Sequence, residues 1–365
     1  MIYLDNGATS YPKPAPVRHA VLDAMLRCAN PGRGGYGAAM EAARRVYDCR
    51  EAASQLFDCD PEQVVLTSNC THGLNIAIRT LVKPGSRVVV SGFEHNAVTR
   101  PLYALGAKIT VAGHRLFDQE NTLEEFEAAL RAGAKAAIFT HVSNVFGYIL
   151  PVEELGRLCK KYAVPFVVDA AQSAGAMDIS LRQLGADFIA MPGHKGLLGP
   201  QGTGLLLCAG VPEPLLYGGT GSDSVRQDMP QQLPERAEAG TVNVPGIAGL
   251  TAGLRYVHSM GAKAIGLREQ KQARAAAQGL KSLGIRVFSG AHQAGTVSFL
   301  PAMDCEELAQ RLAQRGIAVR AGLHCAPLAH KSAGTLGTGT VRISFGHRCD
   351  GSQTQRFLRE MAALS

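Results

Sequence analysis

The stretch "DFIAMPGHKGLLGPQG", residues 187–202, places one lysine in a mostly apolar, glycine-rich run. Residues 188–192 are apolar throughout, which is typical of a strand that is covered on both faces. Lys195 follows this strand, and an ammonium group in such surroundings is costly to bury without a partner. Either Lys195 reaches the surface from a turn, or it is covalently attached to a ligand and is not an ammonium in the working protein.

Short apolar runs of the same kind recur through the first two thirds of the chain and alternate with helical stretches. The predicted strands are VVLTSN (64–69), RVVVSG (87–92), KITVAG (108–113), AAIFTHVSN (136–144), PFVVDAA (165–171), DFIAMPG (187–193) and GLLLC (204–208). The predicted helices are 35–57, 72–82, 96–105, 122–132 and 152–163. This alternation predicts an α/β fold with a mostly parallel sheet.

The pattern changes in the last third of the chain. Residues 212–245 are rich in Gly, Pro, Gln and Ser and predict a loop-rich connector, and residues 246–283 predict a long Ala-rich helical stretch. The tail alternates short strands with a helix at 304–315, which is typical of a smaller α+β domain. The predicted domains are a large one at 15–245 and a small one formed by 1–14 and 246–365.

Composition narrows the class of protein. Of 365 residues, 46% are apolar and 18% charged, as in ordinary globular chains. The sequence contains no run of about 18 apolar residues, so it predicts no membrane span. The acid at Asp5 argues against a secretion signal, and we therefore expect a cytoplasmic protein. The net charge of +7 comes from scattered residues, which favours a solvated basic surface over nucleic-acid binding.

The nine cysteines are odd in number and spread out, and no CxxC pair occurs. We therefore expect reduced thiols rather than a disulfide framework. Neighbouring His and Cys residues lack the spacing of a structural zinc site, so no metal site is expected.

Polar residues follow five of the predicted strands, where ligands bind in an open α/β sheet. They are residues 67–71, 94–96, His141 with Ser143 and Asn144, Asp169 with Gln172, and His194 with Lys195. The glycines of 196–204 match neither a P-loop nor a dinucleotide fingerprint, so a nucleotide enzyme is not expected. An aspartate 26 residues before a strand-end lysine suits pyridoxal 5'-phosphate, which needs a Schiff-base lysine and an acid at its ring nitrogen.

Several motifs together carry a family resemblance along essentially the whole chain. They are YLDNGATS, TSNCTHGLN, EHNAV, SNVFG, VDAAQSAGA, GHKG, EAGTVNVPGI, RAGLHCAP and VRISF. In this order they resemble the class V, fold type I pyridoxal-phosphate enzymes, and among these the cysteine desulfurases and selenocysteine lyases. The resemblance implies the fold type I architecture, with a large sheet domain and a smaller α+β domain at the C-terminus.

For the cofactor, the resemblance implies that Lys195 forms the Schiff base and later moves the substrate's Cα proton. The other implied contacts are Asp169 to the pyridine nitrogen, Gln172 to the ring hydroxyl, His95 stacked on the ring, and Thr71, the Cys70 backbone and His194 on the phosphate. Thr241 would reach the phosphate of a neighbouring subunit, which implies a homodimer.

For the substrate, the resemblance implies that Asn144 and Arg342 bind the carboxylate, which an arginine fork matches bidentately. It places the sulfur-accepting nucleophile at Cys325, and RAGLHCAP predicts a loop in which His324 and Arg320 favour the thiolate. A buried, inert thiol is the alternative for Cys325. The implied reaction converts L-cysteine to L-alanine and leaves a Cys325 persulfide for an acceptor protein, as in iron–sulfur cluster assembly.

Only 17 residues separate Cys325 from Arg342, which predicts a short, ordered loop. Three features depart from the desulfurase pattern: Gly7 replaces an alanine, Pro192 replaces a phosphate-binding serine, and residues 345–350 replace Tyr-Asn-Thr. These departures leave other activities open. The alternatives are a selenocysteine lyase or another C–S lyase of this fold, an aminotransferase, and a pyridoxal-binding protein without turnover.

Overall fold

The computed structural model of this chain describes residues 1–32, 34–221 and 224–364. After a short strand β1 (Ile2–Tyr3), all seven strands of the predicted sheet are present. They are β2 (Val64–Thr67), β3 (Arg87–Ser91), β4 (Lys108–Ala112), β5 (Ala136–Thr140), β6 (Phe166–Asp169), β7 (Phe188–Pro192) and β8 (Gly204–Cys208).

The strand order in this sheet is β2-β8-β7-β6-β5-β3-β4, and β8 runs antiparallel to both of its neighbours. The pairings β3–β4, β3–β5, β5–β6 and β6–β7 are parallel, which confirms the mostly parallel sheet. Strands β2 and β5 to β8 are buried along their whole length, as their continuous apolar sequences predict. Because β3 to β7 are parallel to one another, their carboxyl ends lie side by side at one edge of the sheet.

Helices cover the sheet and connect its strands. They are α1 (Ala15–Arg27), α2 (Gly37–Phe57), α3 (Cys70–Leu81), α4 (Asn96–Ala104), α5 (Gln119–Arg131), α6 (Val152–Tyr162), α7 (Leu181–Leu184), α8 (Val244–Met260), α9 (Ala262–Ser282), α10 (Cys305–Gln314), α11 (Pro327–Ala333) and α12 (Gly351–Ala362). The helices predicted between 35 and 163, and at 304–315, are confirmed. Two begin earlier than predicted, because Asn69 and Asp118 cap them: each side chain accepts an N–H of the first turn.

The prediction of a single helical stretch over 246–283 is wrong in one respect, because these residues form two helices. Gly261 separates α8 from α9 with a φ of 74°, in the left-handed region that glycine adopts without a steric cost. α8 packs against α1 and α2, and its apolar side chains join the core beneath the large sheet.

The last third of the chain builds a second sheet. Strands β9 (Arg286–Phe288), β10 (Thr296–Leu300), β12 (Arg320–Gly322) and β13 (Thr340–Ser344) pair antiparallel in the order β12-β13-β10-β9. Strand β11 (Ile317–Ala318) pairs with β1, so the first residues of the chain lie with the last third. A separate apolar cluster, which includes Ile2 and Leu4, fills this part.

We propose two domains, 15–245 and 1–14 with 246–365, with α8 lying across the boundary. The distinct apolar clusters and the β1–β11 pairing support this division. In the ranges described, no helix combines the length and the apolar character needed to cross a lipid bilayer.

Candidate active site

One cavity of about 180 Å³ lies where the large sheet's parallel strands end. The residues that line it are Asn69, Cys70, Thr71, His95, Ala97, Thr140, Asn144, Asp169, Ala171, Gln172, Pro192, His194 and Lys195. The strand ends thus bring together every cofactor residue expected from the sequence except Thr241. Thr241 lies in a different cavity, which Thr67 and His72 also line.

Lys195 faces the cavity beside Asp169 and Cys70. Burial lowers the pKa of Lys195 below its ordinary value, while the Asp169 carboxylate opposes this shift. A lowered pKa increases the fraction of neutral amine, which is the nucleophilic form of a lysine. The interpretation of Lys195 as a surface residue of a turn is therefore wrong.

Asp169 ends β6 and is only 3% exposed. Its Oδ1 accepts the Ala171 N–H at 2.9 Å and the Cys70 thiol at 3.4 Å. Both contacts use the same oxygen, so Oδ2 stays available to a donor in the cavity. A carboxylate held in this way suits the N–H of a protonated ring nitrogen.

The Cys70 side chain was missed in the sequence, where only its backbone was expected to matter. Burial, with the neighbouring Asp169 carboxylate, raises the pKa of the Cys70 thiol well above its ordinary value. Cys70 is therefore a neutral donor to Asp169 and not a second nucleophile.

The N-terminus of α3 suits a phosphate group. Asn69 accepts the His72 N–H at 2.8 Å, whereas the N–H groups of Cys70 and Thr71 have no acceptor within the helix. The unpaired N–H groups at a helix N-terminus carry partial positive charge and bind anions. His194 lines the same cavity, and its buried Nδ1 makes no hydrogen bond within the described chain. This imidazole atom is therefore available to bind a phosphate oxygen at this place, although Pro192 brings no hydroxyl to it.

His95 caps α4 and is fixed by the helix backbone. Its Nδ1 accepts the Ala97 N–H at 3.0 Å, and burial lowers the pKa of its ring below the ordinary value. The ring is therefore neutral and oriented at the cavity wall, as an aromatic surface for stacking requires.

The buried Glu94, which precedes His95 in the chain, links the ends of β3 and β5 through hydrogen bonds. Its Oε1 accepts the Thr140 N–H at 2.8 Å, the Ser91 N–H at 3.3 Å and the Ser91 hydroxyl. Its Oε2 is buried and has no partner among the residues described. Burial raises the pKa of Glu94 to about 8, so a proton occupies this carboxyl at neutral pH.

Arg342, on β13, is 2% exposed and contacts Asn144, the other residue that the sequence predicts at the substrate carboxylate. Its Nη1 donates to the Asn144 carbonyl at 2.9 Å, and its Nη2 donates to Asp5 Oδ1 at 2.6 Å. Arg342 Nε and Asn144 Oδ1 are buried without partners in the described ranges. An oriented guanidinium with a free donor is suited to a carboxylate. Asp5 was not predicted as a site residue, although it lies in the YLDNGATS motif.

The Cys325 loop is short and held by the large sheet, as the 17-residue spacing predicts. Asn144 Nδ2 donates to the His324 carbonyl and the Asn96 N–H to the Cys325 carbonyl, each at 2.8 Å. His324 and Cys325 have φ values of 49° and 56°, and α11 follows at once. Among the nine cysteines, all of which the structure describes, Cys325 alone is exposed. The alternative of a buried Cys325 is therefore wrong.

The three departures from the desulfurase pattern lie around the same site. A Cβ at Gly7 would be 3.1 Å from Ser344 Oγ and 3.4 Å from Arg342 Cζ. Gln172, expected at the ring hydroxyl, donates its Nε2 to the Gly7 carbonyl at 3.0 Å. His347, within 345–350, lines a second cavity, of about 50 Å³, which Lys195 and Gln172 also line. Within the described ranges, no group of three or more His, Cys, Asp or Glu side chains could hold a metal ion.

Glu94→Gln tests the buried carboxyl. The pKa of Glu94, near 8, exceeds its ordinary value of 4.5, so between these values the folded state holds a proton that the unfolded chain has released. Wild-type stability should therefore fall as pH rises through this window, by up to about 1.4 kcal/mol per pH unit from this group. Glutamine keeps an acceptor oxygen and cannot ionise. The stability of the variant relative to the wild type should therefore increase as pH rises.

The measurement is the free energy of unfolding of the wild type, Glu94→Gln and the exposed control Glu124→Gln across this range. Wild type and control should show the same pH dependence. Parallel profiles for all three proteins would contradict the assignment.

Comparison with known proteins identifies the family. A family model for aminotransferase class-V matches residues 2–357. A probable cysteine desulfurase from Pyrococcus abyssi is 35% identical over 364 residues, covering 94% of this chain and 89% of that protein. A probable cysteine desulfurase from Methanothermobacter thermautotrophicus is 33% identical over 360 residues, covering 94% of this chain and 89% of that protein.

Solved structures agree with this relationship. Apo cysteine desulfurase from Thermococcus onnurineus has a TM-score of 0.92 and 34% identity, covering 100% of this chain and 94% of that one. The cysteine desulfurase CsdA of Escherichia coli has a TM-score of 0.87 and 26% identity, covering 99% of this chain and 94% of that one. With a family model that spans nearly the whole sequence and relatives above 30% identity, this chain belongs to the class-V aminotransferase family.

Proposed function

We propose that this protein is a pyridoxal-phosphate-dependent cysteine desulfurase that converts L-cysteine to L-alanine and takes up the sulfur as a persulfide on Cys325. The observation that carries this proposal is the exposed Cys325, whose loop is bonded to Asn144 and to the start of α4 next to His95. A transaminase has no use for such a thiol. The relatives named cysteine desulfurases support the same activity.

The cavity's residues fit the cofactor on which this family depends. Lys195 would attach it, Asp169 would pair with its ring nitrogen, and His95 would stack on its ring. The first turn of α3, Thr71 and His194 would hold the phosphate, for which the unpaired His194 Nδ1 is available. When bound, pyridoxal phosphate withdraws electrons from the substrate's Cα, which makes the Cα proton removable.

Substrate binding would use the pair formed by Arg342 and Asn144. Asp5 and the Asn144 carbonyl already orient the guanidinium, so little reorganisation is needed when a carboxylate arrives. The Lys195 amine would take the Cα proton of the bound substrate and return a proton to the product. Its lowered pKa suits this exchange.

The sulfur transfer balances without an added oxidant or reductant. The Cys325 thiolate attacks the substrate sulfur, a new S–S bond forms, and the substrate's Cβ–S bond breaks. The electron pair of that bond remains with Cβ, which gains a proton and becomes the methyl group of alanine. The thiolate is the attacking species, and the exposed position of Cys325 leaves its persulfide open to an acceptor protein.

The test is an anaerobic single turnover of the cofactor-loaded protein with L-cysteine, comparing wild type, Cys325→Ala and the control Cys28→Ala. Wild type and control should release alanine and carry one added sulfur on Cys325. Cys325→Ala should lose both products by at least about 100-fold, because the nucleophile is absent.

Two other outcomes would contradict the proposal. Alanine formation that survives in Cys325→Ala would show that this thiol is not the sulfur acceptor. A cofactor that responds to selenocysteine or a cysteine S-conjugate, but yields no alanine from L-cysteine, would indicate a different C–S or C–Se lyase.

We also propose a homodimer in which Thr241 contacts the cofactor phosphate of the partner protomer. Its place in a separate cavity is consistent with a role outside its own site. Apolar side chains on α1 and α2, such as Met25, Leu26 and Met40, are exposed in the single chain and suit a protein contact. The nine free cysteines support a reducing, cytoplasmic location.

Sedimentation and cofactor binding test the dimer together. The mass should be twice the 38.5 kDa of one chain, and Thr241→Val should weaken cofactor binding by about tenfold, the value of roughly one lost hydrogen bond to a charged group. A mass of one chain in solution, or a Thr241→Val variant that binds the cofactor as tightly as wild type, would contradict the proposal.

A further inference from the structure

The carbonyl group of His194, one residue before the catalytic lysine, is surrounded by donors from the start of the chain. It accepts the Thr9 hydroxyl at 3.0 Å, the Ser10 N–H at 3.1 Å and the Ser10 hydroxyl at 3.2 Å. The Lys13 ammonium donates to the same oxygen at 2.6 Å and to Ser10 Oγ at 2.7 Å. A carbonyl oxygen has two lone pairs, so this is a crowded acceptor with one charge-assisted bond.

We propose that Lys13 is a positioning residue, which fixes the peptide unit between His194 and Lys195 and thereby the direction in which the Lys195 side chain enters the cavity. This inference rests on the proposed function, because it concerns the lysine that would attach the cofactor. Lys13 itself does not touch the reacting atoms.

The charge of Lys13 has no carboxylate partner in the described part of the chain. The titratable groups that interact with it are His194 and His347. Burial, aided by nearby cations, lowers the pKa of each imidazole to about 4, so both rings are neutral. A half-buried ammonium without an acid is costly, and among the described residues its hydrogen-bond acceptors are the His194 carbonyl and Ser10 Oγ.

The same segment, residues 5–13, reaches three parts of the site. Asp5 holds Arg342, and the Gly7 carbonyl accepts Gln172. The Gly7 N–H donates to Ser344 Oγ at 2.7 Å, and Lys13 holds the His194 carbonyl. One segment therefore ties the carboxylate-binding arginine to the backbone of the catalytic lysine.

The bond depends on pH in a definite direction. Burial lowers the pKa of Lys13 to about 8, so the ammonium is present below this pH and is lost above it. A neutral amine is a weaker donor, and the Lys195 backbone is then held less firmly. Arginine stays protonated throughout this range.

The experiment compares wild type with Lys13→Met, Lys13→Arg and the exposed control Lys135→Met. The cofactor-loaded enzymes are assayed with L-cysteine near neutral pH. There, Lys13→Met should have a kcat about tenfold lower than wild type, with KM within about twofold. This is the effect expected when one charged hydrogen bond that orients a catalytic group is removed. Lys13→Arg should keep turnover and should lose less activity above pH 8 than wild type. The control should match wild type.

A second readout needs neither cofactor nor turnover. Amide hydrogen exchange of the segment 193–198 in the cofactor-free protein should be about tenfold faster in Lys13→Met and unchanged in Lys13→Arg and Lys135→Met. Equal exchange rates in all four proteins would overturn the proposal. An equal loss of activity above pH 8 in wild type and Lys13→Arg would also overturn it. If wild type does not turn over L-cysteine, the proposed function fails, and the exchange result still decides the role of Lys13.

Discussion

The structure depends on a lysine side chain enclosed beside an aspartate at the end of a buried parallel sheet. Enclosing an ammonium is costly unless a negative group or a covalent bond compensates for it. Asp169 supplies part of that compensation, while burial lowers the pKa of Lys195 towards the form that can react with a carbonyl compound. The cavity walls and the cap of α3 lie around this pair, and the Cys325 loop is bonded to Asn144 in the cavity wall through the His324 carbonyl.

Parallel strand topology explains why residues far apart in the chain meet here. After each parallel strand, the chain crosses back to the edge of the sheet where the strands begin. The residues that follow the strands therefore lie together at the opposite edge. The small sheet then adds Arg342 and Cys325 from the last third of the chain. The carbonyl of Asn144 accepts a hydrogen bond from Arg342, and its side-chain amide donates to the carbonyl of His324, the residue before Cys325. Carboxylate recognition and nucleophile placement therefore share one strand-end residue.

Much of this arrangement could be predicted because its signals are local. Continuous apolar runs identify buried strands, and the polar residue after each run identifies a candidate site residue. Contacts between distant segments could not be predicted in this way. The bond from Asp5 to Arg342 joins residues 337 positions apart, and the Cys70 thiol on Asp169 depends on how α3 approaches β6. The break at Gly261 was also missed, since alanine-rich sequence on both sides favours one continuous helix.

The central claim is that Lys195 is the covalent attachment point of pyridoxal phosphate. The most direct measurement is borohydride reduction of the cofactor-loaded protein, followed by proteolysis and mass spectrometry of all lysine-containing peptides. The account predicts one pyridoxyl group per chain, located on Lys195 and absent from the Lys195→Ala variant. A pyridoxyl group on another lysine, or no stable adduct after loading, would contradict it.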